Sequence, residues 1–590
     1  MVDHHQFYND QIKRYSQELS AVKRQLFTSS MLRLAIFLLA ILGIYLCYGE
    51  SKLIIGILVL TFILFLYLVS RHTDLHYKKA KLLALIRINE TELEVGARNF
   101  QSLADGKEYI DALHDFSQDL DLFGRGSFYQ YSNRTALQQG SEIYASALLA
   151  NEPRDILKKQ AAIQELSAIA EWRQDFSATA SLVKTETSYL KIINWMKGYT
   201  PFTSPIMKYL PWVFSILSGL VIGSYFLDWI SGWMLIIWFF LGLGITGRHL
   251  KRIGKLAADC SKVQSTFQQY QSLLLKLEET AFTSDILKEK RGLIIRENGT
   301  ASKQMKRFSR LLNGLDQRNN IIIGILGNAF MLRDIQMCYA IEQWLTQYGS
   351  EVAAWFSAIA FFDAYNTMGN FAFNHPAYNF PQIHDGPLIM QATDASHPML
   401  DPEKSVTNNF SIKDAEFFIV TGANMAGKST FLRTVAIQIV MANTGLPVNA
   451  SSIIYNPIKL ITSMRTTDSL TDDESYFFSE LKRLKFIVDK IQQQRYFIVL
   501  DEILKGTNST DKAQGSRKFI DRLIASKSTG IIATHDLSLC QAAEDYEAVK
   551  NYYFDAEIKD DELHFDYKFK QGVCKNMNAS FLLKKMGIVN

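Results

Sequence analysis

A chain of 590 residues has room for several domains at roughly 100–200 residues each. With 48% hydrophobic residues, 12% aromatics and only 11 prolines, it falls outside the disordered class and reads as packed, mostly helical structure. A net charge of +4 excludes a globally polybasic chain, so any nucleic-acid surface must be local.

Cysteine usage narrows the setting. Cys47, Cys260, Cys338, Cys540 and Cys574 are far apart and show no C-x-x-C spacing. They read as thiols in a reducing compartment, with no disulfide frame and no cysteine zinc site.

In chain order, residues 1–30 read as a cytoplasmic helix and residues 31–70 as a transmembrane hairpin. The run 31–48 is apolar apart from Arg33, 53–70 carries no charge, and only Gly49, Glu50, Ser51 and Lys52 separate them. Residues 209–247 form a second hairpin, from the uncharged runs 210–227 and 229–246 around Asp228. Each run approaches the roughly 20 residues that cross hydrocarbon as a helix. The first is not a signal peptide, because about 30 largely polar residues precede it and a second apolar run follows at once. Tyr45, Tyr48, Trp212, Trp229 and Trp233 sit near the ends, where interfacial aromatics belong. Lys and Arg flank both hairpins on their open sides, while the two tips share a single Lys52. By the positive-inside rule the N-terminus, residues 71–208 and residues 248–590 face the cytoplasm. The expected location is therefore the inner cell membrane, multi-pass. Ser215, Gly219 and Gly223 form a small-residue stripe that serves either packing within the hairpin or dimerisation.

Residues 71–208 and 248–390 read as two parts of one helical core, with apolar residues at three- and four-residue spacing, as in Ile156, Ile163 and Leu166. The apolar stretch 321–332 ends at Arg333 and Asp334; at about a dozen residues it is too short to span and is expected as a core helix. Lys288, Lys290, Arg291, Arg296, Lys303, Lys306, Arg307 and Arg310 form a basic stretch, read either as a solvated helix face or as a nucleic-acid surface.

Residues 391–590 carry the chemistry. Residues 416–421 read as a buried strand. Gly422, Ala423, Asn424, Met425, Ala426, Gly427, Lys428, Ser429 and Thr430 follow, and then an apolar helix. This is G-x-x-x-x-G-K-S in its required strand–loop–helix context. The glycines let backbone N–H groups wrap phosphate oxygens, Lys428 neutralises the β- and γ-phosphates of ATP, and Ser429 ligates Mg²⁺. A second strand, 495–500, ends in Asp501, a Mg²⁺ partner, and Glu502, which orients or deprotonates the attacking water. A third, 530–534, ends in His535, placed to sense the γ-phosphate. The expected fold is multi-domain: a mainly α-helical membrane and lever-like core region, then a C-terminal α/β P-loop NTPase domain of the ABC class.

These residues resemble the MutS family. The loop is close to that family's T-G-P-N-M-G-G-K-S-T, which makes Asn424 a nucleotide contact. Ser475 through Glu480-Leu481 resembles S-T-F-M-x-E-M, which implies that Ser475 reaches the γ-phosphate of a partner subunit. Gly506-Thr507 through Asp511 resembles the G-T-x-x-x-D turn at the family's dimer interface. Ser396-His397-Pro398 resembles the opening R-H-P, and Tyr567 through Gly572 with 579–588 resembles the closing segment. Upstream, Asp121 to Gly126, Asn133-Arg134-Thr135, Gly140, Pro153 and 158–163 are similar to the helical core. The resemblance implies an ATPase with a composite site in a homodimer, and DNA as a ligand. The chain departs from the pattern in holding a membrane hairpin where the mismatch-reading domain would precede the core, and a second where the lever arms and clamp would extend. Ala423, Ala426, Leu504-Lys505 and Asp536 also replace family residues, and no aromatic is assigned to the adenine. The alternative expectation is an ATP-driven mechanical membrane protein acting on a protein or lipid partner. An ABC transporter is disfavoured by the missing L-S-G-G-Q.

Overall fold

A computed structural model describes residues 4–183, 188–296, 299–423, 425–465, 476–505, 508–559 and 562–574. The first two helices, α1 (His4–Leu46) and α2 (Ser51–Gly96), form one long antiparallel hairpin. At about 1.5 Å per residue each is roughly 65 Å long, far more than a bilayer needs. The surplus is amphipathic. Tyr15, Leu19, Val22 and Leu26 of α1 are buried with Leu75, Leu82 and Leu85 of α2. Beyond Phe27 the pattern inverts, and Leu34, Phe37, Phe62 and Phe65 point outward without cover. Both helices are long and apolar enough to cross a membrane.

The base of this hairpin is bolted to the core by buried polar groups. Glu92 accepts from Arg134 Nε at 2.9 Å, Asn370 Nδ2 at 2.9 Å and Asn374 Nδ2 at 2.8 Å. The Tyr8 hydroxyl donates to Asn374 Oδ1. A buried carboxylate keeps its charge cheaply only when its lone pairs are filled in this way.

The second hairpin is shorter: α3 (Leu210–Phe226) and α4 (Gly232–Gly247), the latter meeting α5 (Leu250–Glu279) at a bend of 64°. Trp238 stacks on Phe214 and donates its indole N–H to Ser218 Oγ. Gly219 and Gly223 face open space, so the small-residue stripe does not pack this hairpin. The close approach lies elsewhere, where Gly242 presses on the backbone of Ala329.

Ala329 belongs to α6 (Ile321–Met331), which corrects the expectation of a core helix. Ile321, Ile322, Leu326 and Met331 of α6 are exposed, and the helix lies against α3 and α4. The length agrees with the apolar run but the surroundings do not follow from it, because an apolar run carries no mark of what covers it. The true core helix is α8 (Val352–Asn374), which follows α7 (Arg333–Tyr348) and is buried along most of its length.

The C-terminal α/β domain is built on a six-stranded sheet of β1 (Phe417–Gly422), β2 (Lys459–Ser463), β3 (Tyr496–Asp501), β4 (Thr529–Ala533), β5 (Val549–Phe554) and β6 (Lys570–Gln571). Their order is β6-β5-β1-β4-β3-β2, parallel except for the edge strand β6. The three central strands are covered on both faces and so read as unbroken apolar runs. The peripheral ones, such as Val549–Phe554, mix polar residues in and were missed. A second sheet joins Leu388–Ala395, Asn408–Lys413, Ser452–Tyr455 and Gln382–Ile383. The helix α9 (Lys428–Thr444) is almost wholly buried in this domain, and α10 (Tyr476–Ile491) and α11 (Ser509–Ala525) complete it.

Candidate functional site

Parallel strands end at a common edge, and there the motif residues meet. Ala533 lies opposite Val420 on one side and Asp501 on the other, so Gly422, Asp501 and His535 leave the sheet side by side. This is the carboxyl edge, where ligands bind in open α/β sheets. Gly422 has φ 147°, and a Cβ there would stand 2.6 Å from the Phe554 carbonyl oxygen. Gly427 has φ 104° and caps the N-terminus of α9, the positive end of the helix dipole.

Lys428 is the first residue of that helix and is buried. Its ammonium donates to the Gly422 and Ala423 carbonyls at 2.7 and 2.9 Å and stands 3.3 Å from His535 Nε2. Since Lys428 can only donate, His535 Nε2 is the acceptor and the ring is neutral. Burial, helped by the Lys428 charge, holds the His535 pKa below the ordinary imidazole value. Burial also lowers the Lys428 pKa, against the opposing pull of Asp501 and Glu502. Ser429 and Thr430 are exposed on the first turn of α9, Ala426 is buried beneath the loop, and Met425 projects outward. Ser429 and Asp501 offer a hydroxyl and a carboxylate, the hard oxygen donors that suit Mg²⁺.

Glu502 adopts φ 51°, a strained conformation for a non-glycine, and its N–H is tied to the Ala533 carbonyl at 2.9 Å. Its carboxylate is paired with Lys512 of α11 at 2.7 Å. Burial pushes the Glu502 pKa up, but Lys512, with His535 and Lys505, outweighs it and the net direction is down. Lys512 carries no motif signal and was missed. So was the role of Glu480 on α10. Buried, it accepts the Leu504 and Lys505 N–H groups at 2.5 and 3.0 Å and so fixes the turn that follows Glu502. Asn424, Ser475, Gly506, Thr507 and 579–588 lie outside the described residues.

The base-sized space also emerges only from the fold. A cavity of about 350 Å³ beside Gly427 and Thr430 is lined by His397, Val406, Phe431, Phe554 and Tyr567 among others. The Tyr567 ring leans over the loop, 3.2 Å from where a Gly427 Cβ would be. Burial pushes the His397 pKa down to about 4, so its ring is neutral near pH 7.

The helical core grips this domain. Asp119 accepts from Thr462 Oγ1 at 2.5 Å, Met464 N at 3.1 Å and Arg465 N at 2.8 Å. Asp121 pairs with Arg465 and with Arg433 of α9. Lys303, Lys306, Arg307 and Arg310 stand exposed along the helix Ala301–Asp316, whose other face is buried.

The arrangement defines a nucleotide-type α/β domain with a loop, two carboxylates and a histidine on one strand edge. Residues 418–584 match the family model of MutS domain V. Three relatives agree. The chain is 30% identical over 214 residues to the DNA mismatch repair protein MSH4 of Arabidopsis thaliana, covering 35% of this chain and 27% of that protein. It is 31% identical over 219 residues to the DNA mismatch repair protein MutS of Aquifex pyrophilus, 35% and 25% of the two chains. It is 30% identical over 212 residues to the human MutS protein homolog 4, 34% and 22%. The likeness to MutS proteins lies in the C-terminal third, where residues 418–584 match MutS domain V. The chain spans roughly a quarter of the length of these relatives.

Proposed function

We propose that this protein is a membrane-anchored ATPase of the MutS kind, hydrolysing ATP in a site completed by a second copy and coupling turnover to DNA. The observation that carries the reading is the convergence of Lys428, Asp501, Glu502 and His535 on one strand edge beside an aromatic-lined cavity. The adenine would lie against Tyr567 and Phe431, and the phosphates along the 422–430 loop. Lys428 would exchange its loop carbonyls for phosphate oxygens. Ser429 and Asp501 would hold Mg²⁺, which supplies charge neutralisation at the phosphates. Glu502, released from Lys512, would accept the proton of the attacking water, and His535 would report the γ-phosphate through its contact with Lys428. Ser475, from the partner subunit, would complete the site. The hairpins would place all of this on the cytoplasmic face of the inner membrane.

DNA enters through the relatives that are DNA mismatch repair proteins and through the exposed row Lys303, Lys306, Arg307 and Arg310. The test uses the full chain in nanodiscs, with ATPase rate and DNA binding followed as salt is raised. Stimulation by duplex DNA, with affinity falling steeply with salt, is expected. ATP turnover indifferent to single- and double-stranded DNA at low salt would overturn the DNA arm and leave the ATPase arm standing. Absence of turnover would overturn both.

A further inference from the structure

The helix α6 has eleven residues, no charge among them, and a row of uncovered isoleucines and leucines. Ile321 and Ile322 are 75% and 69% exposed, which is unusual for a helix that the rest of the fold holds so firmly. It is pinned to α4 by a backbone approach that leaves no room for a side chain at Gly242, and by the Phe330 ring edge-on to Phe239 at 5.9 Å. Its exposed face therefore continues the uncovered face of the second hairpin, where Ile216, Leu220, Ile237 and Phe240 also lack cover.

Its ends are polar and closed. Asn320 caps the N-terminus by accepting the Ile322 and Ile323 N–H groups. At the C-terminus the chain turns through 86° at Leu332 into α7. Asn328 Oδ1 takes the Asp334 N–H at 2.9 Å, and Asp334 pairs with Arg318, which precedes the helix, at 3.3 Å. Both ends thus belong to the helical core. Eleven residues make about 16 Å of helix, half of the ~30 Å hydrocarbon core.

We infer that α6 is a re-entrant helix, dipping into the near leaflet beside α3 and α4 with its isoleucine face against lipid acyl chains. This rests on the reading of the hairpins as membrane-spanning. The Asn320 side chain pairs two free N–H groups at the N-terminus and the Leu332 N–H returns to the Gly327 carbonyl at the C-terminus, which lowers the cost of carrying the helix ends into the bilayer. A charge-free face continuous with the lipid-facing side of a hairpin selects hydrocarbon over an aqueous protein partner. The consequence is a direct line from lipid to the helical core. α7 carries Glu342, which accepts the Tyr199 hydroxyl at 2.7 Å and the Phe202 and Thr203 N–H groups at 2.9 Å, just ahead of α3. A displacement of α6 would therefore reach the core through α7.

The test places a single cysteine, Ile322→Cys, in the full chain carrying Cys47→Ser, the other four native cysteines being buried. A nitrobenzoxadiazole label is read in vesicles of lipids brominated on the acyl chain, with iodide as the aqueous quencher. Leu220→Cys reports the hairpin and Lys303→Cys the cytoplasmic surface. Expected is quenching of positions 322 and 220 by brominated lipid, several-fold above position 303, with little effect of iodide. Quenching of 220 by lipid but of 322 by iodide would overturn the re-entrant helix and spare the anchor. Shielding of 322 from both quenchers would assign its cover to a second copy and overturn the lipid contact. Iodide quenching at 220 and 322 alike would sink the membrane reading itself.

Discussion

The nucleotide domain and the two hairpins use the same residue types in opposite ways. In β1, Phe417, Phe418, Ile419 and Val420 are fully buried between layers, each side chain contributing about 1.5–3 kcal/mol of burial. In α1 and α2, Phe37, Phe62 and Phe65 stand uncovered on an equally ordered scaffold. A long apolar run fixes neither inside nor outside; the difference lies in what the neighbouring segments can cover. The strands come with helices and further strands of matching length. The outer halves of α1 and α2 come only with each other.

The sharpest way to break the comparison is one substitution made in both regions. Phe418→Asp, at 0% exposure, would bury an unpaired carboxylate and cost about 4 kcal/mol or more, unfolding the ATPase domain. Phe62→Asp, at 63% exposure, would leave the detergent-solubilised fold within about 0.5 kcal/mol by thermal unfolding. It would instead weaken membrane insertion, by about 2.5–3.5 kcal/mol. Equal losses of thermal stability would mean that the hairpin face is covered by protein.

The next effects sharpen the nucleotide side. Glu502→Gln is expected to bind ATP normally and lower kcat about 10²- to 10⁴-fold, the range for a positioned general base. A variant with normal turnover would remove Glu502 from that role. Tyr567→Ala, which opens one wall of the base cavity, is expected to raise the ATP KM about 5- to 100-fold with kcat nearly unchanged, in line with about 1–3 kcal/mol for stacking on a base. Equal affinity for ATP and for the inorganic triphosphate in the unmodified protein would argue that no base is held there.

The two regions also differ in how far their sequence could be read. Gly422 and Lys428 were legible because phosphate chemistry imposes a local spacing within one strand–loop–helix unit, and Asp501 and His535 because each closes an apolar run at a strand end. Lys512 was not, since it reaches the site from a segment without its own signature, and Tyr567, though inside the quoted closing segment, carried no sign that its ring reaches the loop. Glu480 stood inside a quoted motif, yet its work is done on the backbone of Leu504 and Lys505. In the helical half, amphipathic spacing identified helices but not their partners. The small-residue stripe on α3 faces open space, while the close contact falls at the unremarked Gly242.

The smallest expected effect concerns Lys512, whose ion pair holds Glu502 in its present place. Glu502 has a depressed pKa, so the pair stabilises the fold above the unfolded glutamate value of about 4.3 and the contribution is lost as pH falls through the folded value. Lys512→Met should therefore cost about 0.5–1 kcal/mol at pH 7, and the cost should fade as pH drops through the folded Glu502 value, measured by thermal unfolding. It should also shift the acid limb of the ATPase pH profile upward, because Glu502 loses the cation that lowers its pKa. A rate change of a few-fold with a displaced limb marks Lys512 as a positioning residue acting on the base. A loss of stability with an unmoved limb would reduce it to an ordinary ion pair, and the base would then be set by Glu480 and the strained backbone alone.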